Sequence, residues 1–320
     1  MKIATWNVNG IRARQEQVLE WIAADRPDVV CLQEIKANSG QLPAALCELN
    51  GYWCYWHGEK GYSGVALHVS KAISPTPPEF SHPPFDFENR IVCARIGRVT
   101  VASVYVPNGG KDFDAKMRFV EALDAFAASF HAIEAPLVLC GDLNIARAEM
   151  DIHPKERKPG GIGQRPDERA LFARLLERGL VDVGRAVDPE NANLFTWWAP
   201  WRNMRQRNIG WRIDYVLASE AIHRTTTSCG VRAEIGTSDH APVLADFAVP
   251  AEWLETPVLA GAEGAATTPW PASSVSPPTV SPPVPASSHG GRGATAGQLS
   301  LLTFDEPDPP SRDDREDDRH

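Results

Sequence analysis

The amino-acid sequence predicts a mixed α/β domain with substantial sheet content, followed by a flexible tail. Two observations predict the domain: many short runs rich in Val, Ile and Leu lie between polar turns, and a few longer segments carry apolar residues at helical spacing. A third predicts the tail, since from about Pro250 the apolar periodicity fades into a stretch rich in Pro and Ser. Such a stretch cannot bury enough apolar surface to offset the entropy lost on ordering.

Three segments have the features of helices. Residues 15–24 place three apolar side chains on one helical face. Residues 113–130 carry a longer amphipathic pattern, and residues 167–178 form a third helical segment, which Gly179 ends. We therefore expect a few helices that interleave with the strands.

Each predicted strand is a short apolar run that ends on polar or turn residues. Pro107 ends one of them, because proline cannot donate a hydrogen bond to a neighbouring strand. The predicted strands cover residues 2–7, 28–34, 64–69, 90–96, 99–106, 136–142, 213–218 and 241–249.

One catalytic domain over residues 1–250 and three tail segments follow from these patterns. We assign residues 251–297 to a disordered linker rich in Pro, Ser and Ala, residues 298–304 to a short apolar peptide, and residues 305–320 to an acidic disordered tail. The formal net charge is −9, and residues 251–320 hold 11 acidic against 4 basic residues, a balance of −7. The body is thus close to neutral, so its charge neither supports nor excludes nucleic acid as a partner.

The six cysteines form no Cys-x-x-Cys pair, and Cys31 and Cys140 lie inside apolar runs, as small buried hydrophobes do. This usage is typical of a reducing compartment. The N-terminal residues lack the continuous apolar stretch of a signal peptide, and no run approaches the roughly 20 apolar residues of a membrane span. We expect a soluble, cytoplasmic, monomeric protein without a membrane partner.

Polar side chains follow or interrupt the predicted strands where each strand leaves the core. In chain order they are Asn7, Glu34, Asp142, Asn144, Asp214, Asp239 and His240. Strand ends that emerge at one edge of a core bring such side chains together. Oxygen ligands without a Cys partner suit a hard cation, above all Mg²⁺ with Mn²⁺ as a substitute, whereas zinc more often recruits Cys or several His.

A cation beside a histidine and an aspartate suits hydrolysis of a phosphodiester. The metal neutralises charge on the phosphorus oxygens, a carboxylate orients and deprotonates water, and an amide or imidazolium supports the oxyanion. An aspartate bonded to the other ring nitrogen of His240 would fix the tautomer of that ring and favour its charged form.

Each of these residues alone also has a purely structural interpretation. The segment Gly141-Asp142-Leu143-Asn144 fits an Asx turn, and a histidine such as His240 is by itself more often structural. Asp214 lies inside an apolar strand, where a buried carboxylate needs a partner. The joint occurrence of these residues is what favours a catalytic centre.

Seven short segments resemble the exonuclease III family of abasic-site (AP) endonucleases, within the wider endonuclease/exonuclease/phosphatase superfamily. They occur in the order of that family between residue 2 and about residue 247, which makes the match specific. The segments are Trp6-Asn7-Val8-Asn9-Gly10-Ile11-Arg12, Leu32-Gln33-Glu34, Gly61-Tyr62-Ser63-Gly64, Tyr105-Val106-Pro107-Asn108, Gly141-Asp142-Leu143-Asn144, Gly210-Trp211-Arg212-Ile213-Asp214-Tyr215 and Ser238-Asp239-His240-Ala241-Pro242. The resemblance implies a four-layered α/β sandwich, in which two packed mixed β-sheets are flanked by helices and the site lies at one end.

The resemblance also implies roles for the residues of the site. Glu34 would be the main metal ligand. Asp142 would activate the attacking water and Asn144 would bond the phosphate, whereas Asp214 would orient His240 against the scissile phosphate. Tyr105 would complete the phosphate pocket. The full set of implied metal ligands is Asn7, Glu34, Asp142, Asn144, Asp239 and His240.

Further residues match positions that contact DNA in the family. These candidates are Arg12, Tyr62, Asn108 and Lys111 at the backbone and phosphate, and Trp197, Trp211 and Ile213 around a flipped-out sugar. Backbone contacts position a duplex without reading its sequence, and an apolar pocket would admit a base-free deoxyribose while excluding a normal nucleotide. Because core packing is the alternative role for a tryptophan, we expect Trp198 in the core and Trp211 at the site.

Residues 298–304 form an isolated apolar cluster in a polar context. The first five resemble the peptide by which bacterial repair and replication proteins bind the DNA sliding clamp. The alternative is a solvated tail with incidental leucines. The resemblance implies clamp contacts by Gln298, Leu299, Leu301, Leu302 and Phe304.

Together these patterns predict a Mg²⁺-dependent DNA phosphodiesterase of base-excision repair. The resemblance implies cleavage 5′ to abasic sites in double-stranded DNA, and removal of 3′ nucleotides or 3′ blocking groups. Two alternatives stay open: another phosphoesterase of the superfamily, acting on RNA, lipid headgroups or inositol phosphates, and a non-catalytic module that binds DNA or the clamp. The segments Asn9-Gly10-Ile11-Arg12 and Gly210-Trp211-Arg212-Ile213-Asp214 favour the DNA branch.

Overall fold

A computed structural model describes residues 1–59 and 61–255 of the protein. Most of the predicted linker, the candidate clamp-binding peptide at 298–304 and the acidic segment at 305–320 lie outside the described residues. The strands of the described part are β1 Lys2–Asn7, β2 Val29–Gln33, β3 Tyr52–His57, β4 Val65–Ser70, β5 Glu79–Ser81, β6 Ile91–Ile96, β7 Val99–Tyr105, β8 Leu137–Asp142, β9 Leu180–Asp182, β10 Asp214–Ser219, β11 Thr226–Val231 and β12 Val243–Phe247. The α-helices there are α1 Ile11–Asp25, α2 Ala44–Cys47, α3 Phe113–His131, α4 Pro166–Glu177, α5 Val183–Val187 and α6 Glu220–His223.

The strands form two six-stranded sheets that face each other. The first sheet has the order β11-β12-β1-β2-β4-β3, and the second has the order β5-β6-β7-β8-β10-β9. Both are mixed, because β1 pairs with β2 and β7 pairs with β8 in parallel, whereas the other neighbours are antiparallel. The predicted pair of packed mixed sheets is therefore confirmed.

The apolar runs in the sequence are continuous because both faces of the central strands are buried. Along β2, Val29 and Cys31 lie in the layer between the sheets, together with Val138 of β8. The intervening Val30 points to the other face and packs with Trp21 of α1. Successive side chains of a strand point to opposite faces, so a strand covered on both faces carries no polar alternation.

Helices cover the outer face of each sheet. α1 packs on the first sheet through Val18 and Trp21, and α3 and α4 pack on the second sheet through residues that include Phe119 and Phe172. Asp112 caps α3 by accepting a hydrogen bond from the Ala115 amide at 2.8 Å. This confirms the four-layered α/β sandwich that the sequence predicted.

The structure also contains elements that the sequence pattern did not predict. These are the strands β3, β5, β9 and β11 and the short helices α2, α5 and α6. The four strands lie at or next to sheet edges, and β11 reads Thr-Thr-Ser-Cys-Gly-Val, with half of its residues polar. An edge strand buries little of its surface, so its sequence carries a weak apolar signal. Among the described helices, none has the length and apolarity needed to cross a membrane.

Candidate active site

The site forms where adjacent strands of both sheets end. In the second sheet, Asp142 of β8 lies opposite Asp214 of β10 and beside Tyr105 of β7. In the first sheet, Asn7 ends β1, and Glu34 directly follows β2. The two sheets meet at this end, where the Asn7 side-chain amide donates hydrogen bonds to Glu34 Oε1 at 3.0 Å and to Asp142 Oδ2 at 2.9 Å. Residues that lie 135 positions apart in the chain thus share one site.

Local backbone geometry explains the residue types at the end of β8. Gly141 has φ +147°, and a Cβ atom there would lie 1.9 Å from the Val104 carbonyl oxygen, so only glycine fits beside the neighbouring strand. Asn144 has φ 51°, a left-handed conformation that asparagine tolerates. The backbone amide of Asn144 donates to Asp142 Oδ1 at 2.9 Å, and this hydrogen bond forms an Asx turn. The structural interpretation of this segment is therefore correct, and the same turn also orients both side chains at the site.

Glu34, Asp142 and His240 form a cluster that suits a metal ion. One ligand atom of each lies within 4.8 Å of the others. The two carboxylates, with no thiol beside them, are the oxygen donors that a hard divalent cation prefers, and the imidazole lies next to them. The residues present therefore fit a metal at this position.

Two other predicted metal ligands have different contacts. Asn7 directs its amide nitrogen at the cluster, and its Oδ1 accepts from the Asn9 amide at 3.0 Å. Asp239 accepts from the Asn9 side chain at 2.8 Å and from the Trp197 indole at 2.9 Å. Asn7 and Asp239 thus border the cluster, and their ligation of a metal stays a prediction.

The Glu34 carboxylate is held in its charged form. Burial raises its pKa, but the charge and hydrogen bond of Lys36, together with the Asn7 hydrogen bond and the His240 charge, outweigh burial, so that the pKa lies below its usual range. The Lys36 ammonium lies 2.6 Å from Glu34 Oε2 and also 2.6 Å from Asn9 Oδ1. An ionised carboxylate is the form that binds a cation.

The His240 imidazole lies between two aspartates. Its Nδ1 is 2.9 Å from Asp214 Oδ2, and its Nε2 is 3.8 Å from Asp142 Oδ2. Burial lowers the pKa of His240, but Asp214 and Asp142 outweigh it and raise the pKa to about 10. Asp214 is fixed in turn, because Thr196 Oγ1 accepts from its backbone amide at 3.0 Å. The site therefore presents an imidazolium whose outer nitrogen faces the carboxylate cluster.

Whereas the pKa of Glu34 is lowered, the pKa of Asp142 is raised. Burial raises its pKa to about 7, aided by the charges of Asp214 and Glu34 and opposed by His240. A carboxylate that titrates near neutral pH can accept a proton from water and release it again. Its role as the base that activates water stays a prediction.

Three uncharged groups line the same space. Burial and the nearby Glu34 and Asp142 charges raise the pKa of Tyr105, so its hydroxyl stays protonated. The Asn144 side-chain amide donates to the Val106 carbonyl at 2.9 Å, and Asn144 Oδ1 accepts from Asn108 at 3.2 Å. These groups border the cluster with neutral polar contacts, and their contact with a phosphate stays a prediction.

Trp197, Trp211 and Ile213 line the same cavity as the polar cluster. The cavity has a volume of about 280 Å³, and its wall also includes Asn108, Asn144 and Ile162. The two tryptophan backbones are joined by reciprocal hydrogen bonds of 2.9 Å and 2.8 Å, and their rings meet edge to face at a centroid distance of 5.9 Å. Trp198 is buried with 2% exposure, as expected for a core residue.

The other predicted DNA contacts lie on the outer surface. Tyr62, Asn108 and Lys111 line an open groove of about 770 Å³ together with Arg90 and Arg118. Because Asn108 lines both this groove and the cavity that holds the polar cluster, the two spaces adjoin there. Arg12 is exposed in the first turn of α1 and lines neither space.

Sequence reasoning missed one buried ion pair beneath the site. Lys116 of α3 lies 2.5 Å from Glu168 of α4, and neither side chain has solvent exposure. The Lys116 ammonium also donates to the Asn108 carbonyl at 3.1 Å and to the Asn144 carbonyl at 2.7 Å. A signal for it was present, because Lys116 lies on the face of α3 that carries Phe119, three residues later.

The chain matches the Endonuclease/Exonuclease/phosphatase family over residues 4–240. It is 35% identical over 248 residues to an exodeoxyribonuclease of Bacillus subtilis, an alignment that covers 76% of this chain and 98% of that protein. It is 33% identical over 257 residues to the DNA repair nuclease APEX1 of Danio rerio, covering 78% of this chain and 83% of that one.

A solved structure has the same fold. It is the 3′ phosphatase NExo from Neisseria bound to a product DNA hairpin, which superposes with a TM-score of 0.71 at 35% identity over 77% of this chain and 99% of its own. The matched range contains all the residues of the carboxylate–histidine cluster. The chain therefore belongs to the Endonuclease/Exonuclease/phosphatase family, within its group of exodeoxyribonuclease III and AP endonuclease hydrolases.

Proposed function

We propose that this protein is a magnesium-dependent DNA phosphodiesterase of base-excision repair. It cleaves the strand 5′ to an abasic site and also removes 3′ nucleotides or 3′ blocking groups. One observation carries the proposal: a single cavity of about 280 Å³ joins the carboxylate–histidine cluster to an apolar wall that includes Trp197, Trp211 and Ile213. Its relatives support the class of reaction, since they are named as nucleases and a 3′ phosphatase of DNA.

Each residue of the site has its own role in the hydrolysis. Asp142 accepts a proton from the water that attacks phosphorus, and the bond from phosphorus to the 3′ oxygen on the far side breaks. The His240 imidazolium and the Asn144 side chain hydrogen-bond the phosphate oxygens as their charge grows. The products are a 3′-hydroxyl and a 5′ deoxyribose-phosphate end, once the leaving oxygen has taken up a proton.

Magnesium, with Mn²⁺ as a substitute, is the ion that we assign to the cluster. Glu34 would be its main ligand, with Asp142 beside it, and the bound ion supplies positive charge to the phosphate oxygens. The oxygen-rich donor set favours Mg²⁺ over zinc.

Selection of the abasic site follows from the shape of the cavity. Trp211 and Ile213 present apolar surface to a sugar that has left the duplex. On this proposal, a sugar that still carries its base does not fit against that surface. Tyr62 and Lys111, in the adjoining groove, would hold the strand through its backbone without reading its sequence.

A substrate panel tests the proposal directly. The full-length protein, stripped of metal by a chelator, is incubated with an abasic duplex, an intact duplex, a 3′-phosphate duplex and inositol phosphates while Mg²⁺ or Mn²⁺ is titrated. We expect metal-dependent incision of the abasic duplex. Turnover of the small phosphoesters without incision would instead assign the protein to another branch of the superfamily, and no turnover of any substrate would favour a binding module.

Trp211→Ala tests the apolar wall. We expect kcat/KM on the abasic duplex to fall by about tenfold or more, since truncation removes the surface against which the sugar packs. Trp201→Ala is the matched control, because Trp201 is 59% exposed and lines neither the cavity nor the groove. Equal losses in both variants would argue against a sugar pocket at Trp211.

We also propose a monomer that acts on double-stranded DNA in the cytoplasm and reaches the sliding clamp through residues 298–304. All six cysteines are free, which suits a reducing compartment. The clamp proposal is supported by the sequence pattern Gln-Leu-Ser-Leu-Leu alone.

A further inference from the structure

A second cluster of metal-binding side chains lies where the edges of the two sheets meet. His57 is the last residue of β3, the edge strand of the first sheet, and His82 directly follows β5, the edge strand of the second. Asp86 completes a group whose ligand atoms lie within 4.8 Å of one another. None of the three lines the active-site cavity.

The contacts inside this group are close. His57 Nε2 lies 2.5 Å from Asp86 Oδ2, and His82 Nε2 lies 2.7 Å from the Tyr55 hydroxyl. The two imidazole rings have a centroid distance of 3.8 Å. The His57 and Asp86 side chains are 19% and 10% exposed, so the group is largely sheltered and still open to a small ion.

Hydrogen bonds to the backbone hold His82 and Asp86 in an orientation that suits metal binding. His82 Nδ1 lies 3.3 Å from the Ile91 carbonyl oxygen, so a proton on Nδ1 leaves Nε2 unprotonated. Its lone pair accepts from the Tyr55 hydroxyl and would turn to a bound metal instead. Asp86 Oδ1 accepts from the Arg90 and Ile91 amides at 2.8 and 3.2 Å, which leaves Oδ2 as the outer oxygen. Such supporting hydrogen bonds accompany protein metal ligands.

We infer that His57 Nε2, His82 Nε2 and Asp86 Oδ2 form a zinc site, with the Tyr55 hydroxyl or a water as the fourth ligand. Two imidazoles and one carboxylate suit Zn²⁺ in tetrahedral geometry and are poorly matched to Mg²⁺, which prefers oxygen ligands. The ion replaces the hydrogen bond between His57 and Asp86 and ties the edges of the two sheets together.

The site also bears on the DNA-contact groove. After Asp86 the chain runs to Arg90, whose guanidinium lies 3.4 Å from the Tyr62 hydroxyl and 4.8 Å from the centre of the Tyr105 ring. β3 ends at His57, five residues before Tyr62 in the chain. A metal at His57 and Asp86 therefore fixes both chain segments that form this side of the groove.

Zinc binding is measured by calorimetry on the full-length protein with the substitutions Glu34→Gln and Asp142→Asn, which weaken competing binding at the active site. We expect one equivalent of Zn²⁺ to bind, and its affinity to fall at least tenfold when His82→Gln or Asp86→Asn is added. His131→Gln is the control, because His131 is exposed and lies outside the cluster. An unchanged affinity in the two cluster variants, or no binding by the parent, would overturn the site.

Cobalt gives a readout that does not depend on how the variants fold. The same parent protein loaded with Co²⁺ alone is expected to show the strong visible absorption of a tetrahedral site with imidazole ligands. A weak spectrum of the octahedral type would refute the assignment. Circular dichroism of each metal-free variant checks that the substitution has not unfolded the chain.

Discussion

Asp214 contacts the His240 ring and is expected to act on a substrate only through it. It touches the inner nitrogen of the ring at 2.9 Å, and it is the carboxylate that contributes most to the raised pKa of His240. This arrangement makes Asp214 a positioning residue, whereas His240 and Asp142 face the space that the phosphate would occupy.

Asp214→Asn is expected to lower kcat on the abasic duplex by roughly 100-fold or more, with a much smaller change in KM. The amide keeps the shape of the side chain, but it carries no negative charge and so does not stabilise the charged form of the His240 ring. Single-turnover and steady-state kinetics measure the effect, with Asp188→Asn as the control at an exposed site. A change confined to KM would show that Asp214 serves binding and not the chemical step.

His68 is a histidine that the fold keeps neutral. It has no solvent exposure and packs on the Trp56 ring at a centroid distance of 4.7 Å. Burial lowers its pKa from 6.5 to about 4. Below pH 6.5 the unfolded chain therefore binds a proton at His68, whereas the folded chain does not. The free energy of unfolding falls as the pH drops from 6.5 towards 4.

His68→Phe is expected to remove this part of the acid sensitivity. The difference between 6.5 and about 4 corresponds to at most about 3 kcal/mol of stability lost by the wild type on acidification. Urea unfolding at pH 7 and at pH 4.5 measures the loss for both proteins. If the variant lost as much stability as the wild type, the titration of His68 would not contribute.

At the scale of elements, the helices α3 and α4 support two loops of the site through Lys116 and Glu168. Glu168 also accepts from the Gly163 amide at 2.7 Å, so the pair anchors the segment that precedes α4 as well as the Asn108 and Asn144 backbones. Buried charges on two helices thus hold the loops that carry the uncharged side chains of the candidate site.

Lys116→Met is expected to cost about 3–5 kcal/mol of stability, because it leaves the Glu168 charge buried without a partner. Adding Glu168→Gln should restore much of the stability, since no buried charge then remains. The kcat of the double variant should stay low, because the Asn108 and Asn144 carbonyls still lack their donor. Thermal unfolding together with kcat separates the two effects, and full recovery of kcat would limit the pair to a structural role.

The sequence predicted central elements better than edge elements, and the reason is burial. The run before Asp142 is apolar throughout, because β8 has neighbours on both sides and cover on both faces. β3 and β5 lie at sheet edges, where a partly exposed surface leaves no clear period of apolar residues. Their pairing is decided by strands elsewhere in the chain.

At the scale of the whole molecule, the part of the chain that the structure describes, which ends at residue 255, already holds large core clusters and the carboxylate–histidine cluster. Deletion of residues 298–304 is therefore expected to leave kcat/KM on a short abasic duplex and the unfolding temperature unchanged. Binding to an isolated sliding clamp should be lost. Surface plasmon resonance with immobilised clamp measures the affinity. An unchanged affinity after the deletion would show that residues 298–304 do not bind the clamp.

The sequence by itself determined the alternation of buried strands and helices and the polar residues at the strand ends. Both depend on residues that are neighbours in the chain. Apolar periodicity indicates which strands and helices are buried, and Gly141 and Asn144 indicate the turn that carries Asp142. From these the fold class followed, and the seven segments that resemble the exonuclease III family indicated the family and the candidate residues of the site.

Only the tertiary structure decided how these parts combine. It placed Asn7 against Asp142, set the Lys116–Glu168 pair beneath two loops, and brought His57 to His82 across the edges of two sheets. These contacts join distant segments, so they depend on strand order, on register and on sheet packing. No local pattern carries that information, because a side chain's partners across a packed core are chosen by the whole fold.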